Sequence, residues 1–414
     1  MTDYSMGKLR GNCVLAQSGG PTTVINCSIA GAIQEAFRYQ EIEGIYGAIN
    51  GILGVLYEEL IDIRAEDPKT INGLVSTPSS ALGSCRRKLS EEDYDRILDV
   101  FRSHNIRYFF YNGGNDSMDT ADKIAKLAKK SGYEMRVMGI PKTIDNDLAF
   151  TDHCPGFGSV ARHNAIFLRD AAKDNESLYT SDTVKVVEVM GRDTGWIAAA
   201  TALARESDED GPHLIYVPER PTSKEKLLAD VEREYKKRGR VVIAVSEGMV
   251  DEHGEPISAS TSSVDVDGFG HKQYGGAGDT VCEFIKEGLK IKARSNKAGT
   301  SQRAAVDRAS VVDQQEAYMV GQMAVRNAVQ GQTGYMVTLV REDGPEYRCT
   351  TGLAPLADVA NAVKYLPDEF INNEGNYVTP AFIDYAKPLV GGFLHPYIRF
   401  EKNYIEKKLP TFKG

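Results

Sequence analysis

The chain is 414 residues long, 42% hydrophobic and 26% charged, with a formal net charge of −9; this length supports two domains with substantial cores. The acidic balance excludes a general binder of nucleic acid or anionic membranes, which needs a basic face. No apolar run approaches the ~20 residues that span a bilayer, MTDYSMGKLRGN has no signal-peptide core, and six dispersed cysteines without CxxC spacing read as reduced thiols of a cytoplasmic protein.

Strand-like and amphipathic helical runs alternate through most of the sequence. A strand over 12–17 leads through Ser18-Gly19-Gly20 into a helix over 23–37, with Ile25, Ile29, Ile33 and Phe37 on one face. A second strand spans 45–50. Ser90 is placed to cap a helix, with Asp93 three residues on and a stripe of Tyr94, Ile97, Leu98 and Phe101. The run Tyr108-Phe109-Phe110-Tyr111 then enters Gly113-Gly114 and a helix bearing Ala121, Ile124, Ala125 and Ala128. The next strand, 137–140, delivers Lys142, Thr143, Asp145 and Asp147. A second series has strands over 184–190, 214–217, 241–246 and 334–340. Its helices start at Gly195 and cover 224–238, 279–291 and 309–329. This βαβα rhythm predicts an α/β fold of two doubly wound domains with parallel sheets covered on both faces. The Gly-rich stretch 267–278 reads as a mobile loop, and 370–414 as an added tail or cap.

Strand, glycine turn and helix together aim backbone N–H groups and a helix N-terminus at a phosphate. A phosphate cradle beside a lysine and two carboxylates predicts phosphoryl transfer to a hydroxyl. Taken alone, TIDND (143–147) is an ordinary helix-start turn and SGG a tight turn; GGNDS (113–117) beside TIDND shifts the reading to chemistry. His153, His163 and His271 have no partner at ligand spacing and read as structural or surface histidines, and Trp196, the only tryptophan, reads as core packing. The interspersed charges of 224–238 read as a solvated face.

Ser18-Gly19-Gly20, Gly83-Ser84-Cys85-Arg86, GGNDS, PKTIDND (141–147), VVEVMGRDTGW (186–196), Ser246-Glu247-Gly248 and Gln302-Arg303 occur in that order. In this the chain resembles the 6-phosphofructokinase family over roughly residues 12 to 350. The resemblance implies two Rossmann-like domains facing an active-site cleft. One comprises 1–157 plus about 304–350 and binds diphosphate. The other comprises 158–303 plus about 351–414 and binds the sugar phosphate. ATP-using members read GGDGS and PGTIDND; members that use inorganic pyrophosphate carry an aspartate and a lysine at those two places, as this chain does at Asp116 and Lys142. Glycine at 116 would admit a nucleotide's α-phosphate, whereas the Asp116 carboxylate occupies that space and repels it.

The resemblance therefore implies transfer from pyrophosphate to the C1 hydroxyl of fructose 6-phosphate, reversibly, in glycolysis or gluconeogenesis. Asp145 is then the general base, kept ionised by Lys142. Lys142, Asp116, Thr143 and Arg192 complete the catalytic set. Gly20, Arg86, Gly114 and Ser117 hold the diphosphate, and Thr143 bonds the phosphoryl group or the sugar. Thr143, Asp145, Asp147, Met190, Gly191, Arg192, Glu247, Arg294 and Arg303 hold the sugar phosphate. Arg294 and Arg303 bind its 6-phosphate, one of them across a subunit interface, which implies a homodimer or homotetramer. Mg²⁺ falls to Asn115 and Asp116. The tail reads as a cover over the sugar site, through Tyr397, Arg399 and Lys402. The alternatives are an ATP-dependent phosphofructokinase and a non-catalytic regulatory subunit of the same fold; a lipid or NAD kinase leaves TIDND and MGRDTGW unexplained.

Overall fold

The structure is a computed structural model that describes residues 9–178, 181–260, 276–360, 362–392 and 394–410. Most of the expected loop 267–278, together with His271, lies outside them. Among the described residues, eleven strands form two sheets. The first has seven: β1 (Gly11–Gln17), β2 (Ile42–Ala48), β3 (Leu60–Asp62), β4 (Ile106–Gly113), β5 (Arg136–Pro141), β10 (Tyr335–Arg341) and β11 (Cys349–Pro355), in the order β11-β10-β5-β4-β1-β2-β3. The second has four, β6 (Val184–Val189), β7 (Leu214–Tyr216), β8 (Val241–Ser246) and β9 (Ala293–Lys297), in the order β7-β8-β6-β9.

The second sheet is parallel throughout. In the first, both edges depart from the expected parallel pattern, since β3 and β11 run antiparallel to their neighbours. The chain stays with this sheet through β11 and the short helix Leu356–Val359, whose apolar residues enter the same core as Met118. The chain thus remains packed on the first sheet beyond residue 350.

Alternation along the central strands explains the layering. Val14, Ala16, Phe109, Tyr111 and Val137 face the helices Glu91–Ser103 and Asn115–Lys130. Cys13, Leu15, Tyr108, Phe110 and Met138 face the helices Ile25–Ala36 and Val311–Val329. The last two helices cross on glycine: a Cβ at Gly31 would overlap the backbone of Tyr318, and one at Gly321 the backbone of Ser28. The second sheet is covered on one face by the helices Lys224–Arg238 and Ala277–Leu289. Its other face meets the 21-residue helix Phe157–Ser177 and an aromatic cluster of Trp196, Phe370, Phe382 and Tyr385. Trp196 is core, as expected, and its Nε1 donates to the carbonyl of Lys364 at 2.9 Å.

The helix Phe157–Ser177 was not apparent in the sequence, and its start is fixed from afar. Buried Asp313 accepts from the Gly156 and Ser159 amides at 2.8 and 2.9 Å. Beside it, buried His153 lies between Asp152 (2.7 Å) and Glu316 (2.6 Å), with Arg341 on Asp152 and Tyr347 on Glu316. The His153 partner thus sits 163 residues away, beyond any spacing rule. All six cysteines are free, four buried and Cys85 and Cys349 half-buried. Among the described residues no helix is long and apolar enough to cross a membrane.

Candidate active site

In an open parallel sheet, ligands bind outside the carboxyl ends of the strands, where the strand order reverses. In the first sheet β1 passes to β2 on one side while β4 and β5 lie on the other, so the reversal falls between Gln17 and Gly113. The turns after β1, β4 and β5 carry Gly19-Gly20, Gly114 to Ser117 and Lys142 to Asp147.

The first turn is held open by a buried polar relay. Gln17 donates to Asn26 at 2.9 Å and accepts from the Leu82 amide at 2.9 Å, while Asn26 donates to the Thr77 carbonyl at 2.8 Å. This fixes the loop before Arg86. Gly83 takes φ +73° there, and a side chain would strike Asn50. Ser84 then donates to the Gly19 carbonyl at 2.6 Å. Lys142, 3% exposed, reaches back to donate to the Gly20 carbonyl at 2.7 Å. A Cβ on Gly20 would come within 3.1 Å of Arg303 Nη1 and 3.4 Å of Arg86 Nη2. Three cations, Lys142, Arg86 and Arg303, thus converge on one glycine turn. Arg303, expected at the 6-phosphate, stands beside the Gly19-Gly20 turn, close enough to Asp145 and Glu247 for their charges to act on it.

The second turn starts the helix Asn115–Lys130. Its cap residue Gly114 contributes no side-chain hydrogen bond, which leaves the positive end of the helix for an anion. Ser117 is buried against Gly113. Asp116 lies half-buried in the first turn, where glycine would leave open space. The carboxamide oxygen of Asn115 is buried with no hydrogen-bond donor among the described residues. An orphaned oxygen next to a carboxylate suits a hard divalent cation, so these two residues fit the metal expected of them.

The third turn brings the carboxylates. Thr143 Oγ1 accepts from the Asp145 amide at 3.1 Å and also bonds Asp147. It therefore organises the turn, rather than being free for the phosphoryl group. Asn146 adopts φ +55° and accepts from the Cys154 amide at 2.9 Å. Lys364 donates to the Thr151 and Asp152 carbonyls at 3.1 and 2.8 Å, and its amide donates to the Asp147 carbonyl at 2.8 Å. Lys364 lies in an unpatterned stretch and was not among the expected site residues.

Opposite stand the carboxyl ends of β6 and β8. Thr194 donates to the Asp145 carbonyl at 3.1 Å, tying the two edges together. Gly191, at φ +126°, donates to Glu247 at 3.3 Å and accepts from Ser246. The Met190 amide donates at 3.2 Å to Gln302, quoted above only as part of a motif. Arg192 pairs with Asp193 at 2.7 Å and reaches Asp145, Asp147 and Glu247 electrostatically.

Arg294 is not brought to this cleft within one chain. It pairs with Asp182 at 2.8 Å and lies opposite Lys185 at the amino end of β6, roughly 16 Å along the strand from Met190. The tail does not cover the cleft either: Tyr397 and Arg399 bind Asp170, Glu176 and Asp210.

Burial dominates the electrostatics. The Asp145 carboxyl is pushed up to about 7 by burial and by Asp147, against the pull of Arg192 and Lys142. This corrects the expectation that Lys142 keeps it ionised near neutral pH. Glu247 is pushed up to about 8 by burial and by Asp145. Asp147 is raised by burial. Lys142 is lowered to about 8 by burial and by Arg86. A base poised near neutrality, three cations and a helix N-terminus can together accept a hydroxyl proton and neutralise a transferring phosphoryl group.

A phosphofructokinase family profile matches residues 12–328. A "Pyrophosphate--fructose 6-phosphate 1-phosphotransferase" of Halomonas elongata is 43% identical, over 97% of this chain and 99% of that protein. The crystal structure of a "Pyrophosphate-dependent phosphofructokinase" from Marinobacter aquaeolei superposes with a TM-score of 0.84 at 40% identity, covering 97% of this chain and 99% of that one. One from Nitrosospira multiformis gives the same score and identity over 97% and 100%.

Proposed function

The chain belongs to the phosphofructokinase family, and from that premise we propose that the cleft transfers a phosphoryl group from pyrophosphate to the C1 hydroxyl of fructose 6-phosphate. The observation that carries this reading is Lys142. Its ammonium touches the Gly20 carbonyl while its own turn carries Asp145, so the phosphate turn and the base meet at one residue.

The diphosphate lies over Gly19-Gly20 and the N-terminus of the helix Asn115–Lys130, with Ser117 at that helix start. Arg86 and Arg303 grip its oxygens, a task suited to guanidinium forks. The Asp116 carboxylate takes the space an α-phosphate would need, so a nucleotide is disfavoured and pyrophosphate is not. Asp145 accepts the C1 hydroxyl proton as the oxygen bonds to the terminal phosphorus. The bridging P–O bond breaks and inorganic phosphate leaves. Lys142 and Arg303 offset the charge on the equatorial oxygens.

Arg192 and Glu247 hold the sugar from the second sheet, through the turn that Gly191, Met190 and Gln302 fix. Thr143 and Asp147 set the geometry of the base. Arg294, exposed on β9, serves a neighbouring chain's 6-phosphate rather than its own. Enzymes of this family generally need a divalent metal. Here Asn115 and Asp116 would hold Mg²⁺, which when bound neutralises diphosphate charge.

The test is product formation by the purified chain with Mg²⁺ and fructose 6-phosphate, pyrophosphate against ATP, in the parent and in Asp116→Gly. Turnover with pyrophosphate alone, and ATP use gained in the variant, is expected. Turnover with ATP alone in the parent overturns the donor, and turnover with neither overturns the reading.

A further inference from the structure

Val359 packs in the core of the first sheet and Leu366 in that of the second, and the chain passes from one to the other through Lys364. Val363 forms an antiparallel bridge with Leu148, which lays this segment against the turn carrying Asp145 and Asp147. The Lys364 ammonium directs its three N–H donors at that turn and the loop behind it. They reach the Asp152 carbonyl at 2.8 Å, the Thr151 carbonyl at 3.1 Å and Asn146 Oδ1 at 3.4 Å. Asn146 stands between the two acids at φ +55°. Both polar atoms of its side chain are engaged: Oδ1 also takes the Cys154 amide, and Nδ2 donates to Tyr385 at 3.0 Å.

The backbone of Lys364 extends the tie in two directions. Its N–H donates to the Asp147 carbonyl at 2.8 Å, and its carbonyl accepts from Trp196 Nε1 at 2.9 Å. The ammonium also lies 5.2 Å from the centre of the Trp196 ring, within cation–π range. Two residues on, the Leu366 amide donates to Glu219 at 2.9 Å, and the same carboxylate oxygen accepts from the Gly195 amide at 2.9 Å. Gly195 and Trp196 follow Thr194, which donates to the Asp145 carbonyl. The ties close a circuit, from Asp145 through Thr194 and Trp196 to Lys364, and from Lys364 back to Asn146 and Asp147.

A lysine that only capped the loop at 151–152 would need its ammonium alone. The backbone bonds bring in the turn of the other sheet, so one residue spans the base turn and the turn that presents Arg192. Reacting atoms must meet within about 3–3.5 Å, and a displacement of about 1 Å can cost about a hundredfold in rate.

We infer that Lys364 is a positioning residue for phosphoryl transfer, holding the Asp145 turn at a fixed distance from the Arg192 turn. It acts through Asn146, Asp147 and Trp196 rather than on the substrates. The inference rests on the reading of Asp145 as the base.

Steady-state kinetics and hydrogen–deuterium exchange of the parent and of Lys364→Met test it. Methionine keeps the apolar stem and removes the ammonium, and the backbone bonds to Asp147 and Trp196 remain possible. The expected fall in kcat is about 10- to 100-fold. KM for pyrophosphate is expected to stay within about threefold, because Lys364 does not touch the turns at Gly19-Gly20 and Gly114. Exchange is expected to quicken at residues 143–154 and 193–199 and to stay as in the parent at 11–18. Lys364→Gln, which leaves a polar end among the same carbonyls, is expected to behave alike and decides if the methionine variant does not fold. A folded variant with kcat within about twofold of the parent overturns the inference and leaves the proposed function standing. So does a KM for pyrophosphate that rises as steeply as kcat falls, the mark of a loosened fold. A parent without turnover on either donor overturns the proposed function instead. Exchange then decides on Lys364 by itself, and rates at 143–154 equal to the parent's overturn the clasp.

Discussion

Asp145 is held between opposed influences: burial and the Asp147 carboxylate raise it, and Arg192 and Lys142 pull it down. The outcome, about 7, makes it half protonated near neutrality, and Lys142 at about 8 must keep its proton to act. We therefore expect kcat/KM to fall as pH drops below about 7, where the base is lost, and again above about 8, where the cation is lost. Asp145→Asn is expected to lower kcat by ~10²–10⁴ while calorimetric binding of fructose 6-phosphate changes less than about tenfold. A variant retaining a tenth or more of parent turnover would show that the proton goes elsewhere. Lys142 and Asp145 were legible because they are close in the sequence and share one turn. Lys364 and the Met190–Gln302 bond were not, because their partners lie more than 100 residues away. Thr143 was placed in the correct turn but given a role that its bonds to Asp145 and Asp147 already fill.

Whole elements were legible in proportion to how one-sided they are. The helix Glu91–Ser103, capped by Ser90 and Asp93 with a single apolar stripe, appears as expected, and so does the charged helix Lys224–Arg238. The helix Phe157–Ser177 escaped notice because it is buried on several sides and buries polar groups, among them His163, Asn164 and Asn175, so no stripe survives. The edge strand β11 (CTTGLAP) is half-exposed and lacks an apolar run. The crossing of the helices Ile25–Ala36 and Val311–Val329 was also hidden, since glycine in a helix reads only as a weak helix former. In the fold, Gly31 and Gly321 are where the two backbones touch. Gly31→Ala or Gly321→Ala is expected to cost about 1–3 kcal/mol by forcing the helices apart. Gly73, with φ −68° and nothing within 4 Å of an added Cβ, is the control, and Gly73→Ala is expected to gain up to about 1 kcal/mol. Urea unfolding of the three variants checks this; equal midpoints would remove the close-contact argument.

The site as a whole was readable because its parts all lie just after strands, which a βαβ rhythm places on one edge of each sheet. What the rhythm does not convey is how deeply two facing edges bury their charges, and that sets the stability of the molecule against pH. Asp145, Asp147 and Glu247 are all raised in the folded state. Their native carboxyls hold protons that the unfolded chain releases near pH ~4, so stability falls as pH rises from about 4 through 7–8. His153 is raised as well, because the hydrogen bonds to Asp152 and Glu316 outweigh its burial. Its contribution is complete below the unfolded value of ~6.5 and is lost as pH rises through the folded value. Asp152 acts oppositely: although burial raises it, His153 and Arg341 lower it overall. Its contribution is present above ~3.9 and is lost as acid protonates it in the native state. Together these groups predict greatest stability on the acid side of neutrality, with a decline towards pH 8.5 and a collapse in strong acid. Asp145→Asn removes one penalised charge, so at pH 8 the variant is expected to unfold at higher denaturant than the parent, the gap narrowing as pH approaches 4. Denaturant midpoints of the two proteins across this range are the check. A gap that stays constant with pH would mean that Asp145 acts on stability by packing rather than by charge. A site that makes its base near-neutral by burial thus gives up folding stability at the pH where that base works.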